Sequence, residues 1–295
     1  MKTIVIAGAS GFIGQHVSDF FKSNGWTVLT IGRSSGDATW NDQPSLIRVL
    51  NGVDTVLNLA GKSVNCRFTA DNVRELIRSR VETTRALGDA MALCKQPPRI
   101  WINASGASIY RENVVVSNTE ESTTDGEGTM AEVARLWEHA FKAAAPASTR
   151  QVSLRITLVL GKGGGVYPIF RTLAKLRQGG AQGSGKQLMS WIHIGDLSRL
   201  IYAIVHQTDP PSVVNAAAPA TYSNYDFMRE LRSSLHISLG IAAPEALIKI
   251  GTAIVGVDSE LVLKGMNVIS SRTPQLSFEF EFPTLTKAFA DLNKK

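Results

Sequence analysis

Thr3-Ile4-Val5-Ile6-Ala7-Gly8-Ala9-Ser10-Gly11-Phe12-Ile13-Gly14 is the stretch on which the fold turns. Thr3 to Ala7 is apolar and β-branched, the pattern of a strand buried on both faces at the centre of a parallel sheet. Three glycines spaced three apart follow. Ile13, Val17, Phe20 and Phe21 then recur at helical spacing, and Asn24-Gly25 stops the helix. The order is strand, tight turn, helix. Such a turn lets backbone N–H groups approach a pyrophosphate at a helix N-terminus, where the helix dipole favours anions. Gly8 permits the turn, Gly11 the close approach, and Gly14 the packing of helix on strand. Gly8, Ser10, Gly11, Phe12, Ile13 and Gly14 are therefore expected to hold a dinucleotide.

The bulk properties fit that expectation. A chain of 295 residues with 44% apolar content holds one large α/β domain, or a nucleotide domain with a smaller partner. The net charge of +6 is spread along the chain without a basic block. Nucleic-acid binding is not expected, whereas phosphate-bearing ligands suit a mild positive excess. Cys66 and Cys94 stand in unrelated contexts, so neither a disulfide framework nor a metal site is expected. No apolar run reaches membrane length, and the N-terminus lacks the marks of a signal peptide. The reading is a cytoplasmic protein with no membrane partner.

Strand and helix patterns alternate along the chain. Trp26–Ile31 reads as the second strand, followed by Gly32-Arg33-Ser34. A carboxylate at this place selects NAD through the ribose 2′-hydroxyl, and a basic residue accommodates the 2′-phosphate of NADP. No carboxylate precedes Asp37, so Arg33 and Ser34 point to NADP(H). Pro44–Leu50 reads as a short helix. Asp54–Gly61 is a strand entering a small-residue turn, in which Leu59, Ala60 and Gly61 leave room for the cofactor. Thr69 is expected to cap a long helix that ends near Cys94. Arg99–Ala104 is a strand, Arg111–Gly128 a long loop of the kind that forms lids, Ala131–Ala145 a helix, and Val152–Leu160 one strand. Val166–Arg177 reads as a helix and Gln178–Lys186 as a flexible, anion-binding loop. Ser190–Leu197 leads into a helix that reaches His206, with Asp196 placed to cap it or pair with Arg199. Ser212–Asn215 is a strand, Asn224 starts a helix, and short helices with the aromatic run Phe278–Phe282 follow.

The expected architecture is α/β: a doubly wound, Rossmann-like parallel sheet with a smaller C-terminal substrate domain. Residues 1–160 form the NADP-binding domain, its sheet completed by about 190–217. Residues 161–189 and 218–295 form the smaller domain.

The glycine spacing resembles the short-chain dehydrogenase/reductase superfamily, in its extended, epimerase-like branch. Asn58-Leu59-Ala60-Gly61, Ile77-Arg78-Ser79-Arg80, Trp137-Glu138, Leu154-Arg155, Leu158–Gly161, Gly183-Ser184-Gly185 and Ser190-Trp191-Ile192-His193-Ile194 sharpen this. Together they are similar to an atypical group of that superfamily, the epimerase family, which carries a small C-terminal domain of unknown function. Leu285–Leu292 fits the end of that domain. The resemblance implies NADP binding and places Arg80 and Ala104 beside the cofactor. It also implies a Ser-Tyr-Lys-Asn set, whose positions fall at Gly106, Met130, Ala134 and Arg80. Methionine and alanine transfer no protons, so the usual tyrosine acid with its lysine is absent. Tyr110, Ser105 and Ser108 then become the catalytic candidates. Lys62, Arg155 and His193 become substrate-binding candidates, for a small and perhaps phosphate-bearing substrate. Two functions follow as expectations: an NADP(H)-dependent oxidoreductase or epimerase-like enzyme, or an NADPH-sensing binding protein without turnover.

Overall fold

The structure is a computed structural model that describes residues 2–294. In chain order its strands are β1 Thr3–Ala7, β2 Thr27–Gly32, β3 Ala38–Thr39, β4 Thr55–Asn58, β5 Ile100–Gly106, β6 Arg150–Ile156, β7 Leu158–Gly161, β8 Gly164–Gly165, β9 Leu188–Met189, β10 Trp191–His193, β11 Val213–Ala216 and β12 Tyr222–Ser223. Its α-helices are α1 Phe12–Ser23, α2 Gln43–Leu50, α3 Ala70–Ala92, α4 Thr129–Ala144, α5 Tyr167–Lys175, α6 Ile194–His206, α7 Asn224–Ser234, α8 Glu245–Val255, α9 Glu260–Leu263 and α10 Leu285–Leu292.

Seven strands make one parallel sheet in the order β11-β6-β5-β4-β1-β2-β3. The sequence order reverses beside β1, where doubly wound folds bind ligands at the carboxyl ends of their strands. Burial on both faces explains the near-continuous apolar strands. Ile4, Ile6, Ile100 and Ile102 pack with α1 and α6 on one side. Val5, Ala7, Val56 and Trp101 pack with α2, α3 and Phe141 of α4 on the other. A third cluster, with Phe170, Trp191, Phe227, Leu231 and Phe289 among its members, forms the core of the smaller lobe.

Three expectations are corrected. The expected strand Val152–Leu160 breaks at Thr157, whose N–H (3.2 Å) and Oγ1 (2.7 Å) both donate to the Ala216 carbonyl. That turn carries β7 out of the main sheet. Trp191–His193 therefore pairs with Leu158–Leu160 in a separate small sheet, and only β11 completes the large one. The Gln178–Lys186 loop is no open anion nest, because most of its amides are already used. Gly180 and Gly183 donate to the carbonyls of Ile241 and Ala243, and Gln182 donates to Asn224 Oδ1. The Arg111–Gly128 segment is not a free lid either. Its Glu120 carboxylate accepts from the N–H of Asn215 (2.7 Å), the hydroxyl of Ser270 and the N–H of Ser271. Through these bonds the loop and the 268–272 segment cover the edge of β11, which would otherwise offer unpaired backbone groups.

Candidate functional site

The glycine turn divides its three glycines by task. Gly8 has φ +83°, and a Cβ there would lie 2.9 Å from the Leu59 carbonyl; one at Gly14 would run into the Gly8 carbonyl oxygen. Both are required by packing. A Cβ at Gly11 would meet only Gly8 O, at 3.4 Å, so Gly11 faces open space. The first intrahelical bond of α1 runs from Gln15 N to Gly11 O. The N–H groups of Phe12, Ile13 and Gly14 thus lack helical partners, and among the described residues no side chain caps them. Phe12 needs a correction: its ring lies under the β7–β8 hairpin, where a Cβ on Gly161 or Gly164 would strike it. That leaves Phe12 its main-chain N–H as the group it can offer a ligand.

Asn58, fully buried, holds the neighbouring turn. Its Nδ2 donates to Asn103 Oδ1 (2.7 Å) and Thr84 Oγ1 (3.1 Å), while its Oδ1 accepts from Ala60 N. Ala104 lies buried on β5, its carbonyl taken by Asn103 Nδ2. Gly61 is exposed and Arg80 is its nearest neighbour: the Arg80 Cζ would lie 3.0 Å from a Cβ there. Arg80 is 8% exposed, donates to Leu76 O, and sits over the Trp137 ring at 5.1 Å. Among the described residues no carboxylate pairs with it, and burial lowers its pKa to about 10. A buried guanidinium without a counter-ion beside an open glycine fits an anionic ligand. Lys62 bonds Asn72 Oδ1 through its Nζ (2.7 Å) on the outer side of this turn. Arg33 and Ser34 are exposed after β2, and no ion pair engages Arg33 among the described residues.

Three of the positions aligned with the family's catalytic set, Gly106, Met130 and Ala134, come together around Ser108. A Cβ on Gly106 would lie 3.9 Å from the Ala134 Cβ and 3.0 Å from Ser108 Oγ, and Ser108 Oγ donates to Met130 O (3.1 Å). Neither the Ser108 hydroxyl nor the side chains of Met130 and Ala134 ionise near neutral pH, and Gly106 has no side chain. Ser105 is buried beside it, and among the described residues its Oγ has no hydrogen-bond partner.

Tyr110 does not take the acid/base position proposed for it. It is 3% exposed, its hydroxyl donates to Asn215 Oδ1 (2.9 Å) and accepts from Arg155 Nη1 (2.7 Å). Burial pushes its pKa up, and Arg155 only partly opposes this. Arg155, expected at the substrate, is equally buried and forks onto both oxygens of Glu138, at 2.7 and 2.8 Å. Burial opposes its charge, but Glu138 outweighs that and holds the guanidinium firmly protonated. His193, also expected at the substrate, caps α6 instead: its Nδ1 accepts from Gly195 N (3.2 Å), and its ring lies on Phe282. Glu138 was visible only as part of a matching dipeptide. Asn215 and Glu120 gave no signal, because their partners lie far away in the chain.

A cavity of about 600 Å³ opens between the lobes, with Arg111, Glu127, Gly128, Asp258, Glu260 and Lys264 in its wall. Glu260 reaches from it to Thr129 N (3.1 Å) and Met130 N (3.2 Å) at the start of α4.

Sheet order, glycine turn and uncapped α1 together define a Rossmann-like protein of the short-chain dehydrogenase type. The chain belongs to the NAD dependent epimerase/dehydratase family, which it matches over residues 4–217; a domain of unknown function, DUF1731, follows over residues 243–292. It is 30% identical over 295 residues to the epimerase family protein SDR39U1 of Homo sapiens, covering 98% of this chain and 99% of the relative. The crystal structure of human SDR39U1 (isoform 2) with NADPH superposes with a TM-score of 0.89 at 29% identity, covering 98% of each chain. UDP-N-acetylglucosamine 4-epimerase from Bacillus cereus, 18% identical, shares the fold at a TM-score of 0.75 over 99% of this chain and 98% of that one. Among the described residues no helix is long and apolar enough to cross a membrane.

Proposed function

We propose that this chain binds NADP(H) across the carboxyl ends of β1, β2, β4 and β5, and serves as an atypical short-chain dehydrogenase acting on a small substrate. The observation that carries the reading is the open Gly11 cradle at an uncapped helix start. The free Arg33 and the buried, counter-ion-free Arg80 support a phosphate-rich ligand. The NADPH held by human SDR39U1 supports the choice of dinucleotide. When bound, a nicotinamide cofactor supplies hydride transfer. In this chain Gly11 and the α1 amides hold the pyrophosphate, Arg33 and Ser34 face the 2′-phosphate, and Arg80 offsets charge at the turn after β4.

A second reading, an NADPH-sensing protein without turnover, is favoured by one observation: Gly106, Met130 and Ala134 meet where proton transfer is normally done, and none of them can do it. A turnover screen with NADPH separates the two readings.

The binding claim has a direct test. Gly11→Val is expected to abolish NADPH binding in isothermal titration while leaving the melting curve near that of the wild type, because the added side chain enters only the ligand space. Gly14→Val is expected to damage the fold itself. Wild-type affinity in Gly11→Val would remove the cofactor from this turn.

A further inference from the structure

The preference for NADP(H) proposed above rests on Arg33 and Ser34, and the backbone that carries them is unusual. β2 and β3 lie parallel, with Ile31 beside Ala38 and Gly32 beside Thr39. Parallel neighbours ordinarily need a crossover of a dozen residues or more. Here residues 33–37 alone make the connection.

Specific contacts close this short loop. Asp37 Oδ2 accepts from Thr30 N (2.8 Å) and from Thr30 Oγ1 (3.0 Å). Asp37 N donates back to Thr30 O (2.9 Å). Gly36 has φ +130°, and a Cβ on it would lie 2.9 Å from Thr30 O. A Cβ on Gly32 would collide with Ser35 O. On the other side Arg48 Nη2 donates to the Asp37 carbonyl (3.3 Å). Residues 33–36 are left as an exposed crown.

Asp37 is also the first carboxylate after β2. A carboxylate free at this place accepts a ribose 2′-hydroxyl and repels a 2′-phosphate. The Asp37 carboxylate is instead turned back onto the strand, with one oxygen holding both Thr30 donors.

We infer that Thr30 and Asp37 form a specificity lock. Their three hydrogen bonds fix the 33–36 crown so that Arg33 and Ser34 meet a 2′-phosphate, and they keep the nearest carboxylate folded away from it. Both are positioning residues, and neither is placed on the ligand. The inference rests on the dinucleotide reading and adds to it the residues that set the choice between NADPH and NADH.

The test is titration of the full chain with NADPH and with NADH, reading the ratio of the two affinities. In the wild type NADPH is expected to bind more tightly by about one to two orders of magnitude. Asp37→Asn keeps the acceptor oxygen and is expected to hold the ratio within about threefold of the wild type. Asp37→Ala removes all acceptance at Thr30 and is expected to lower the ratio about tenfold, chiefly through weaker NADPH binding. Thr30→Val is expected to lower it part of the way, and Thr30→Ser to restore it. Should Asp37→Ala fail to fold, the Thr30 pair carries the test, since the main-chain bonds remain. An unchanged ratio in Asp37→Ala, or in Thr30→Val where that pair carries the test, overturns the lock. So does a loss in Asp37→Asn as large as in Asp37→Ala, which would leave acceptance at Thr30 without a role, and so does a ratio that rises in both variants, which would assign the effect of Asp37 to repulsion of the 2′-phosphate rather than to loop geometry. A wild type that binds no NADPH refutes the dinucleotide reading and the lock together; a wild type that prefers NADPH alongside an indifferent Asp37→Ala refutes the lock alone.

Discussion

Tyr110 shows how burial decides what a side chain does. A phenol acts as an acid near neutral pH only where its surroundings favour the anion. Here burial works the other way, and the hydroxyl is committed at both ends, to Asn215 and Arg155. Tyr110→Phe is expected to leave Arg155 and Asn215 each one bond short, lowering the unfolding free energy by about 1–3 kcal/mol in urea denaturation. NADPH titration is expected to be unchanged. A normally stable variant with lost NADPH affinity would place Tyr110 in the cleft after all. The residues that sequence located well act over short distances. Gly8, Gly11 and Gly14 share one turn, and Thr69 caps α3 by accepting from Asn72 N. Tyr110 and Asn215 lie 105 positions apart, and nothing in either stretch announces the other. A tyrosine after a strand end looks the same in sequence whether it faces a ligand or a buried arginine.

At the scale of elements, α4 is a helix completed from elsewhere. Its N-cap is Gly128, which has φ +87° and no side chain to offer. Glu260 supplies the cap from the smaller lobe, accepting from Thr129 N and Met130 N. A carboxylate at a helix N-terminus also complements the dipole. This explains why the periodicity of the chain suggests a start at Ala131 while the helix begins at Thr129: local sequence holds no cap, so no local rule finds one. Glu260→Ala is expected to cost about 1 kcal/mol, within the usual range for losing a cap. Amide exchange at Thr129 and Met130 is expected to rise, with the α3 amides unaffected. Unchanged exchange at those two amides would mean that the first turn stands without Glu260. The break at Thr157 has the same kind of cause. The apolar run Val152–Leu160 reads as one strand, and only the distant Ala216 carbonyl turns it.

Across the whole molecule, the smaller lobe is fastened to α6 by two buried groups. Asp196 is fully buried, pairs with Arg199, and accepts from Glu281 N and Phe282 N at 3.0 Å each. His193 caps α6 through Nδ1, packs its ring on Phe282 at 3.9 Å, and points Nε2 at the Asp291 carboxylate of α10, 3.5 Å away. Attraction to Asp291 favours a charged ring, but burial outweighs it and lowers the pKa from 6.5 to about 4. The acceptor role of Nδ1 requires the neutral form as well. A histidine kept neutral on folding binds fewer protons in the native state than in the unfolded one between these two values. Its contribution is therefore fully present above pH 6.5 and is lost as pH falls toward 4. At about 1.36 kcal/mol per pKa unit, the loss amounts to roughly 3 kcal/mol by the end of that window. Urea denaturation between pH 7 and pH 4.5 is expected to show most of this decline in the wild type. His193→Asn retains a good N-cap but has no titrating ring, so its stability is expected to start lower and fall less over the same range. Parallel pH profiles for the two proteins would show that the ring takes up its proton without cost in the folded chain, and that α6 and α10 are not joined through a neutral histidine.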